Sequence, residues 1–154
     1  ETVRIGITGA DAAKAEFLSL KSVVGDRGRV LVQKQVEGGL ELIAGLLRDP
    51  QFGPCVMCGF GGVMAEVLND TAFAVAPLSM AEALALIERL KTRKLLEGFR
   101  GNPPLDKAAF AEVLVRLGNL GQANPGIREI DINPLIVSKG LPVAVDATII
   151  LDSD

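Results

Sequence analysis

The chain has 154 residues, of which 49% are hydrophobic, and a formal net charge of −3 at pH 7. This length fits one compact domain, which buries about 70% of the surface that its unfolded chain exposes. The acidic balance and the absence of a basic run argue against nucleic acid or an anionic membrane as the main partner. The longest apolar stretch, residues 54–65, is too short and too rich in glycine to cross a membrane, so we expect a soluble protein. The localisation that we predict is cytoplasmic.

The histidine and cysteine content of the chain excludes several kinds of catalytic and metal site. The chain has no histidine, which excludes a Ser-His-Asp triad, a histidine general base and histidine zinc ligands within these residues. Cys55 and Cys58 have C-x-x-C spacing, but they lie in an apolar strand-like run where alternate residues face opposite ways. Because a second pair is missing, we interpret them as small buried thiols of a reducing compartment.

In chain order, the sequence first predicts a strand at residues 3–7, a helix at 11–24 and a strand at 30–36. The chain already has a strand pattern next to Glu1, without a signal-like segment, so we expect a piece of a longer protein. Further strands are predicted in consecutive order, which favours antiparallel pairing. They cover residues 40–47, 55–60, 63–68 and 73–77.

Two helices follow these strands. Ser79 and Glu82 form a capping box at the start of the first helix, and Asp106 is the predicted cap of the second. The predicted buried sides are Ala83, Leu84, Ile87 and Leu90 in the first helix, and Phe110, Val113, Leu114 and Leu117 in the second. Strands and helices alternate irregularly and without a repeat, so the predicted class is α+β, with a largely antiparallel sheet and flanking helices.

The most informative segment is residues 129–134, where two isoleucines alternate with Glu129, Asp131 and Asn133. At the two-residue period of a strand, the three polar side chains share one face and the isoleucines point into the core. Aspartate is depleted in strands, so this concentration of oxygen-bearing side chains on one face needs a reason. Binding of a hard divalent cation is one such reason.

A turn centred between Lys139 and Gly140 would place Asn133 directly opposite Asp146. Opposed residues share a face, with Cβ atoms about 4.5–5.5 Å apart. Both side-chain oxygens could then reach one Mg²⁺ at about 2.0–2.1 Å. The alternative is a hairpin with solvated acids, in which Asn133 ends a strand because it precedes a proline. That alternative accounts for Asn133 but not for Asp146.

The glycine-rich segment at residues 59–62 could let backbone approach a phosphate closely. It lacks the Gly-Lys-Ser/Thr of a P-loop and the spacing of the dinucleotide fingerprint. By itself this segment is more typical of a tight turn or bulge between two core strands. Residues 49–54 are likewise predicted to form a turn.

Taken together and in order, these motifs resemble the ATP-grasp domain of ADP-forming (NDP-forming) acyl-CoA synthetases, a family related to the succinyl-CoA synthetase beta subunit. The resemblance implies a ligase that makes acyl-CoA, ADP and phosphate from a carboxylic acid, CoA and ATP, through acyl-phosphate and phosphohistidine intermediates. It covers nearly the whole chain. The motifs are LVQKQV (31–36), GLELIAG (39–45), DPQFGP (49–54), GFGG (59–62), APL (76–78), RG (100–101) and EIDINPL (129–135).

The resemblance also implies site residues. Glu41 would hold the ribose hydroxyls, and Asn133 and Asp146 would be the Mg²⁺ ligands. Asp131, two residues before the asparagine, occupies an acidic catalytic position. The hinge that lies against the adenine would be formed by Gln33, Lys34 and Val36.

The sequence also departs from the family pattern. Family members usually carry a phosphate-binding lysine, a His-Lys-Ser-Asp-like segment and a Gly-Gly upstream of residues 3–7, and this chain has none of them. Ala74 stands where relatives often have arginine. We therefore expect a partial, incomplete first ATP-grasp subdomain at residues 1–35 and a second subdomain with the nucleotide and Mg²⁺ site at 36–154. This chain alone is expected to bind nucleotide weakly and not to turn over.

The expected partners are a small carboxylic acid, CoA, and a CoA-binding domain or subunit that carries the phosphorylated histidine, in an oligomeric assembly. Two other functions fit the same motifs less completely. One is a non-catalytic acyl-CoA- or nucleotide-sensing module of a protein acetyltransferase. The other is an ATP-grasp ligase that joins a carboxylate to an amine. The motifs do not indicate which acid is the substrate.

Overall fold

The computed structural model describes residues 2–62, 69–98 and 103–152. The chain divides into two compact units, Glu1–Gln35 and Val36–Asp154. Assigning these units to a partial first and a second ATP-grasp subdomain stays a prediction. Among the described residues, no helix has both the length and the apolar character needed to cross a membrane.

The first unit is built around helix α1 (Ala10–Val24), which confirms the helix predicted at residues 11–24. Glycines with positive φ flank it, Gly9 at 86° and Gly25 at 67°. The Arg4 Nε atom donates to Glu16 Oε2 on this helix at 3.0 Å.

The prediction of strands at residues 3–7 and 30–36 is wrong, because neither segment forms a strand. The two segments carry exposed apolar side chains, such as Ile5 and Leu31. A link between them runs from the Gly6 N–H to a side-chain oxygen of Gln35 at 2.7 Å. A strand needs a backbone ladder with a neighbour, and alternating side chains alone do not supply one.

The second unit contains a six-stranded sheet in which all pairs are antiparallel. The strand order is β3-β2-β1-β4-β5, and β6 also pairs with β4. The strands predicted around residues 40–47, 55–60 and 73–77 are confirmed with small shifts, whereas residues 63–68 lie outside the described part. The strands are β1 (Leu40–Asp49), β2 (Gly53–Phe60), β3 (Thr71–Val75), β4 (Ile127–Ser138), β5 (Leu141–Ala144) and β6 (Ala147–Leu151).

The two predicted helix caps are present. Helix α2 (Met80–Glu88) begins with the capping box, in which Ser79 Oγ accepts from Glu82 N and the Glu82 carboxylate accepts from Ser79 N at 2.8 Å. Helix α3 (Lys107–Ala123) begins after Asp106, whose Oδ1 accepts from Ala109 N at 3.0 Å. A 3₁₀ helix, Arg93–Glu97, lies between them.

Both helices pack on one face of the sheet and form the core with it. Leu84 was predicted to be buried but is 37% exposed. The buried side of α2 instead follows the helical spacing i, i+3, i+4 and i+7, so Leu86 takes the core position. Val113 of α3 is only partly buried. The largest fully buried side chains are Phe60, Phe110, Leu42, Leu46, Leu86, Ile87, Leu90, Leu96, Leu114, Leu135, Val56 and Cys58.

Arg48 near the end of β1 fixes helix α3 to the sheet. Its guanidinium donates to Ile127 O at 3.0 Å, Gly121 O at 2.7 Å and Asn124 O at 3.1 Å. Two of these carbonyls belong to the end of α3 and its cap, where helices leave carbonyls without intrahelical partners. The third lies at the first residue of β4. Arg48 therefore sets where β4 begins relative to the core.

Candidate functional site

The face of the sheet opposite the helices carries the predicted site residues in cross-strand rows. The pairing of the strands places one row of five across β6, β4, β1, β2 and β3. Residues of a cross-strand row share a face and contact their neighbours. In that order the row is Thr148, Asp131, Gly45, Met57 and Phe73.

The rows divide this face into an acidic half, with Glu129 and Asp131 on β4 and Asp146 just before β6, and a largely apolar half on β1 to β3. In the next row toward the β1–β2 turn, Glu129 lies opposite Leu47, and Cys55 and Val75 continue the row. The apolar side chains are partly open to solvent: Leu47 is 46%, Phe73 49% and Val75 50% exposed. Large apolar groups beside carboxylates are typical of a ligand-binding surface rather than of a solvated sheet face.

A β-bulge in β4 directs Asn133 to this open face. Leu42 pairs with Leu135 and Ala44 with Ile132, so Ile43 opposes two residues, Asn133 and Pro134. Bulges insert one residue and re-aim side chains. Ile132 and Leu135 can therefore both turn toward the core, although two residues lie between them and regular alternation would put them on opposite faces.

The predicted register between Asn133 and Asp146 is confirmed. The turn at Lys139 and Gly140 has positive φ at both positions, 52° and 85°. The pairing continues on the same register in β5 and β6. Between these strands, the Asn133 N–H donates to Asp146 O at 3.2 Å. The side chains of both residues are exposed.

The donor set at this point of the hairpin fits a hard cation. Asp146 Oδ1 accepts from Ala147 N at 2.8 Å, which orients the carboxylate. In the described part of the chain, no three His, Cys, Asp or Glu side chains cluster closely enough to hold a metal alone. An amide and one carboxylate suit Mg²⁺, which keeps several waters and binds phosphate oxygens as further ligands. Half-buried Asp131 lies on the same face, opposite Thr148.

Glu41 lies beside the glycine-rich segment that follows β2. It pairs with Ile136 and is exposed. The Gly61 N–H donates to Glu41 O at 2.8 Å, and the Glu41 carboxylate lies against Gly62. The structure thus brings together a carboxylate and a glycine-rich segment that the sequence analysis considered separately.

The predicted hinge residues fall on both sides of the boundary between the two units. Gln33 and Lys34 are exposed in the first unit, outside any strand, and Val36 opens the second unit half-buried. Their contact with an adenine stays a prediction.

The two cysteines lie on opposite faces of β2, as the alternation predicts. Cys58 is buried in the core, where burial raises the pKa of its thiol to about 12. Cys55 is half-buried, and its pKa is also raised by burial and by Asp49. Raised pKa values keep thiols protonated, so neither cysteine has the character of a reactive thiolate.

Sequence reasoning missed two features of this face. Thr148 lies directly opposite Asp131, and extending the predicted register by two residue pairs would have found it. The contact between Glu41 and Gly62 joins the beginning of β1 to the segment after β2, and only the hairpin geometry brings them together.

Comparison with known proteins identifies the family of this chain. The ATP-grasp domain family model matches residues 1–151. The chain belongs to the ATP-grasp domains of ADP-forming acyl-CoA synthetases. This ATP-grasp domain is 37% identical to the beta subunit of ADP-forming acetate–CoA ligase I from Pyrococcus furiosus, over 97% of the chain and 67% of that subunit.

Two further relatives extend the comparison. ADP-forming acetate–CoA ligase I of Archaeoglobus fulgidus is 40% identical over 99% of the chain, which spans only 23% of that protein. A solved acetyl-coenzyme A synthetase from Ca. Korarchaeum cryptofilum, in complex with coenzyme A and Mg-AMPPCP, superposes with a TM-score of 0.86 at 41% identity. That match covers 97% of the chain and 67% of the korarchaeal chain. The antiparallel α+β fold predicted from the sequence is therefore that of the family.

Proposed function

We propose that this domain binds ATP and Mg²⁺ in an ADP-forming acyl-CoA synthetase, which converts a carboxylic acid, CoA and ATP into acyl-CoA, ADP and phosphate. The observation that carries the proposal is the register of the last hairpin, which sets Asn133 opposite Asp146 on the open face. Relatives at 37–40% identity are ADP-forming acetate–CoA ligases. The korarchaeal relative was solved with coenzyme A and Mg-AMPPCP.

Asn133 and Asp146 would hold the Mg²⁺ through their side-chain oxygens, and Asp131 would lie beside the transferred phosphoryl group. When bound, the ion would neutralise negative charge on the β- and γ-phosphates during phosphoryl transfer. Glu41 accepts hydrogen bonds from the ribose hydroxyls. The backbone of the hinge, Gln33, Lys34 and Val36, binds the edge of the adenine.

The reaction requires groups from outside this chain. The phosphohistidine step needs an imidazole, and these 154 residues contain no histidine. A phosphohistidine segment points toward the nucleotide-binding site in the korarchaeal relative. We infer that a CoA-binding domain or subunit supplies the histidine in a cytoplasmic, oligomeric assembly. The acetate–CoA ligases and the acetyl-coenzyme A synthetase named above do not favour the two alternatives, a sensing module and an amine ligase.

The test is acid- and CoA-dependent release of ADP by the full-length protein and its Asp146→Ala variant. The expected result is ADP release in the wild type and its loss in the variant, because one of the two proposed ligands is removed. Asp152→Ala is the matched control, since Asp152 is an exposed aspartate just beyond the same hairpin and is expected to leave turnover unchanged. Unchanged turnover in Asp146→Ala would exclude the metal assignment, and amine-dependent, CoA-independent ADP release would favour the amine ligase.

A further inference from the structure

Gly62 lies where the Glu41 side chain needs space. A Cβ built on Gly62 would be 2.3 Å from Glu41 Oε2 and 3.0 Å from Glu41 Cδ. Carbon and oxygen atoms that are not bonded do not approach to such a distance. Any side chain at position 62 would therefore displace the Glu41 carboxylate.

The neighbouring Gly61 holds the glycine-rich segment against the start of β1. Its N–H donates to Glu41 O at 2.8 Å, and a Cβ on it would be 3.1 Å from Leu42 O and 3.2 Å from Ile43 Cγ2. The backbone of this segment is thus hydrogen-bonded to the residue that carries the carboxylate. The carboxylate is the mobile end of this contact, so it is the part that a side chain at position 62 would move.

Backbone conformation gives a second reason for glycine at this position, because Gly62 has a φ of 58°. Gly53 distinguishes the backbone requirement for glycine from the steric requirement. Its φ is 77°, but a Cβ there would meet nothing within 4 Å. Glycine at position 53 serves the backbone alone, whereas glycine at position 62 also leaves room for Glu41.

We propose that Gly62 is a positioning residue that makes this domain selective for ribonucleotides, by leaving free the space from which the Glu41 carboxylate contacts the sugar hydroxyls. The inference rests on the proposed function, which assigns the ribose hydroxyls to Glu41. A site built to accept hydrogen bonds from a hydroxyl discriminates against an analogue that lacks it, because the acceptor is left unpaired. The selectivity depends on the position of the carboxylate as much as on its presence.

The experiment compares the affinities of the full-length protein for ATP and for dideoxy-ATP, which lacks both ribose hydroxyls, in the presence of Mg²⁺. We expect the wild type to prefer ATP by about tenfold. Gly62→Ala and Glu41→Ala should each abolish the preference, and the double variant should lose nothing further. Gly53→Ala carries the same kind of backbone strain without the contact, and it should keep the wild-type preference.

The variants distinguish failure of the Gly62 inference from failure of the ribose assignment to Glu41. If Gly62→Ala keeps the preference while Glu41→Ala loses it, the inference is wrong and the ribose assignment stands. If Glu41→Ala keeps the preference, both the ribose assignment and the inference fail. Gly62→Asn provides a second variant, because asparagine tolerates positive φ but still has a side chain. It should lose the preference even where Gly62→Ala does not fold.

Discussion

At the scale of single residues, Asp70 is the buried charge among the described residues. It is 3% exposed, and its carboxylate accepts from Lys91 N at 2.9 Å, Thr92 N at 2.7 Å and Thr92 Oγ1. Burial raises the pKa of Asp70, but the hydrogen bonds from Thr92 and Lys91 outweigh it and hold the pKa below its ordinary value. One carboxylate thus joins the start of β3 to the turn after α2.

Asp70→Asn is expected to destabilise the fold by about 1–3 kcal/mol near neutral pH, because the amide replaces an acceptor with a donor against these N–H groups. The folded-state pKa lies below the unfolded value, so the stabilisation is present above the unfolded pKa and is lost as pH falls through the folded pKa. The gap in the free energy of unfolding between wild type and variant should close in acid. Urea denaturation across this pH range measures it, and a gap that persists in acid would contradict the assignment.

At the scale of elements, the end of α3 and the beginning of β4 depend on one side chain from β1. Arg48→Met keeps an unbranched apolar stem but removes every donor to Gly121 O, Asn124 O and Ile127 O. We expect a loss of about 1–3 kcal/mol in the free energy of unfolding. Arg116→Met is the control, because Arg116 is exposed and pairs with Glu112 within α3. Equal stability of both variants would contradict the role of Arg48.

At the scale of the whole molecule, the hydrophobic core belongs to the second unit. Every residue of the main core cluster lies between Leu42 and Val137, and helix α1 has no buried residue. We expect residues 36–154 to unfold cooperatively without the first unit. A peptide of residues 1–35 should have little helix by circular dichroism, because isolated helices of this length are marginal in water. A gradual thermal transition for residues 36–154 would contradict this expectation.

The face that carries the candidate site is formed by the sheet as a whole, since its rows draw on β1 to β4 and β6. The acidic half comes from the last hairpin, and the apolar half from strands far earlier in the chain. The local alternation of residues 129–133 indicated which side chains share a face. It carried no information about Gly45 and Met57, which become neighbours of Asp131 only through the pairing of β1 with β4 and β2.

The sequence by itself determined the features that are encoded locally. These are the two helix caps, the α+β class, the antiparallel strands and the register of the last hairpin, because a turn position and a two-residue period fix which residues oppose each other. Only the tertiary structure decided that residues 3–7 and 30–36 form no strand, that Leu86 rather than Leu84 is buried, and that Glu41 lies against Gly62. Strand pairing and close side-chain contacts join residues that are distant in the chain. No local pattern indicates which distant residue will supply the contact.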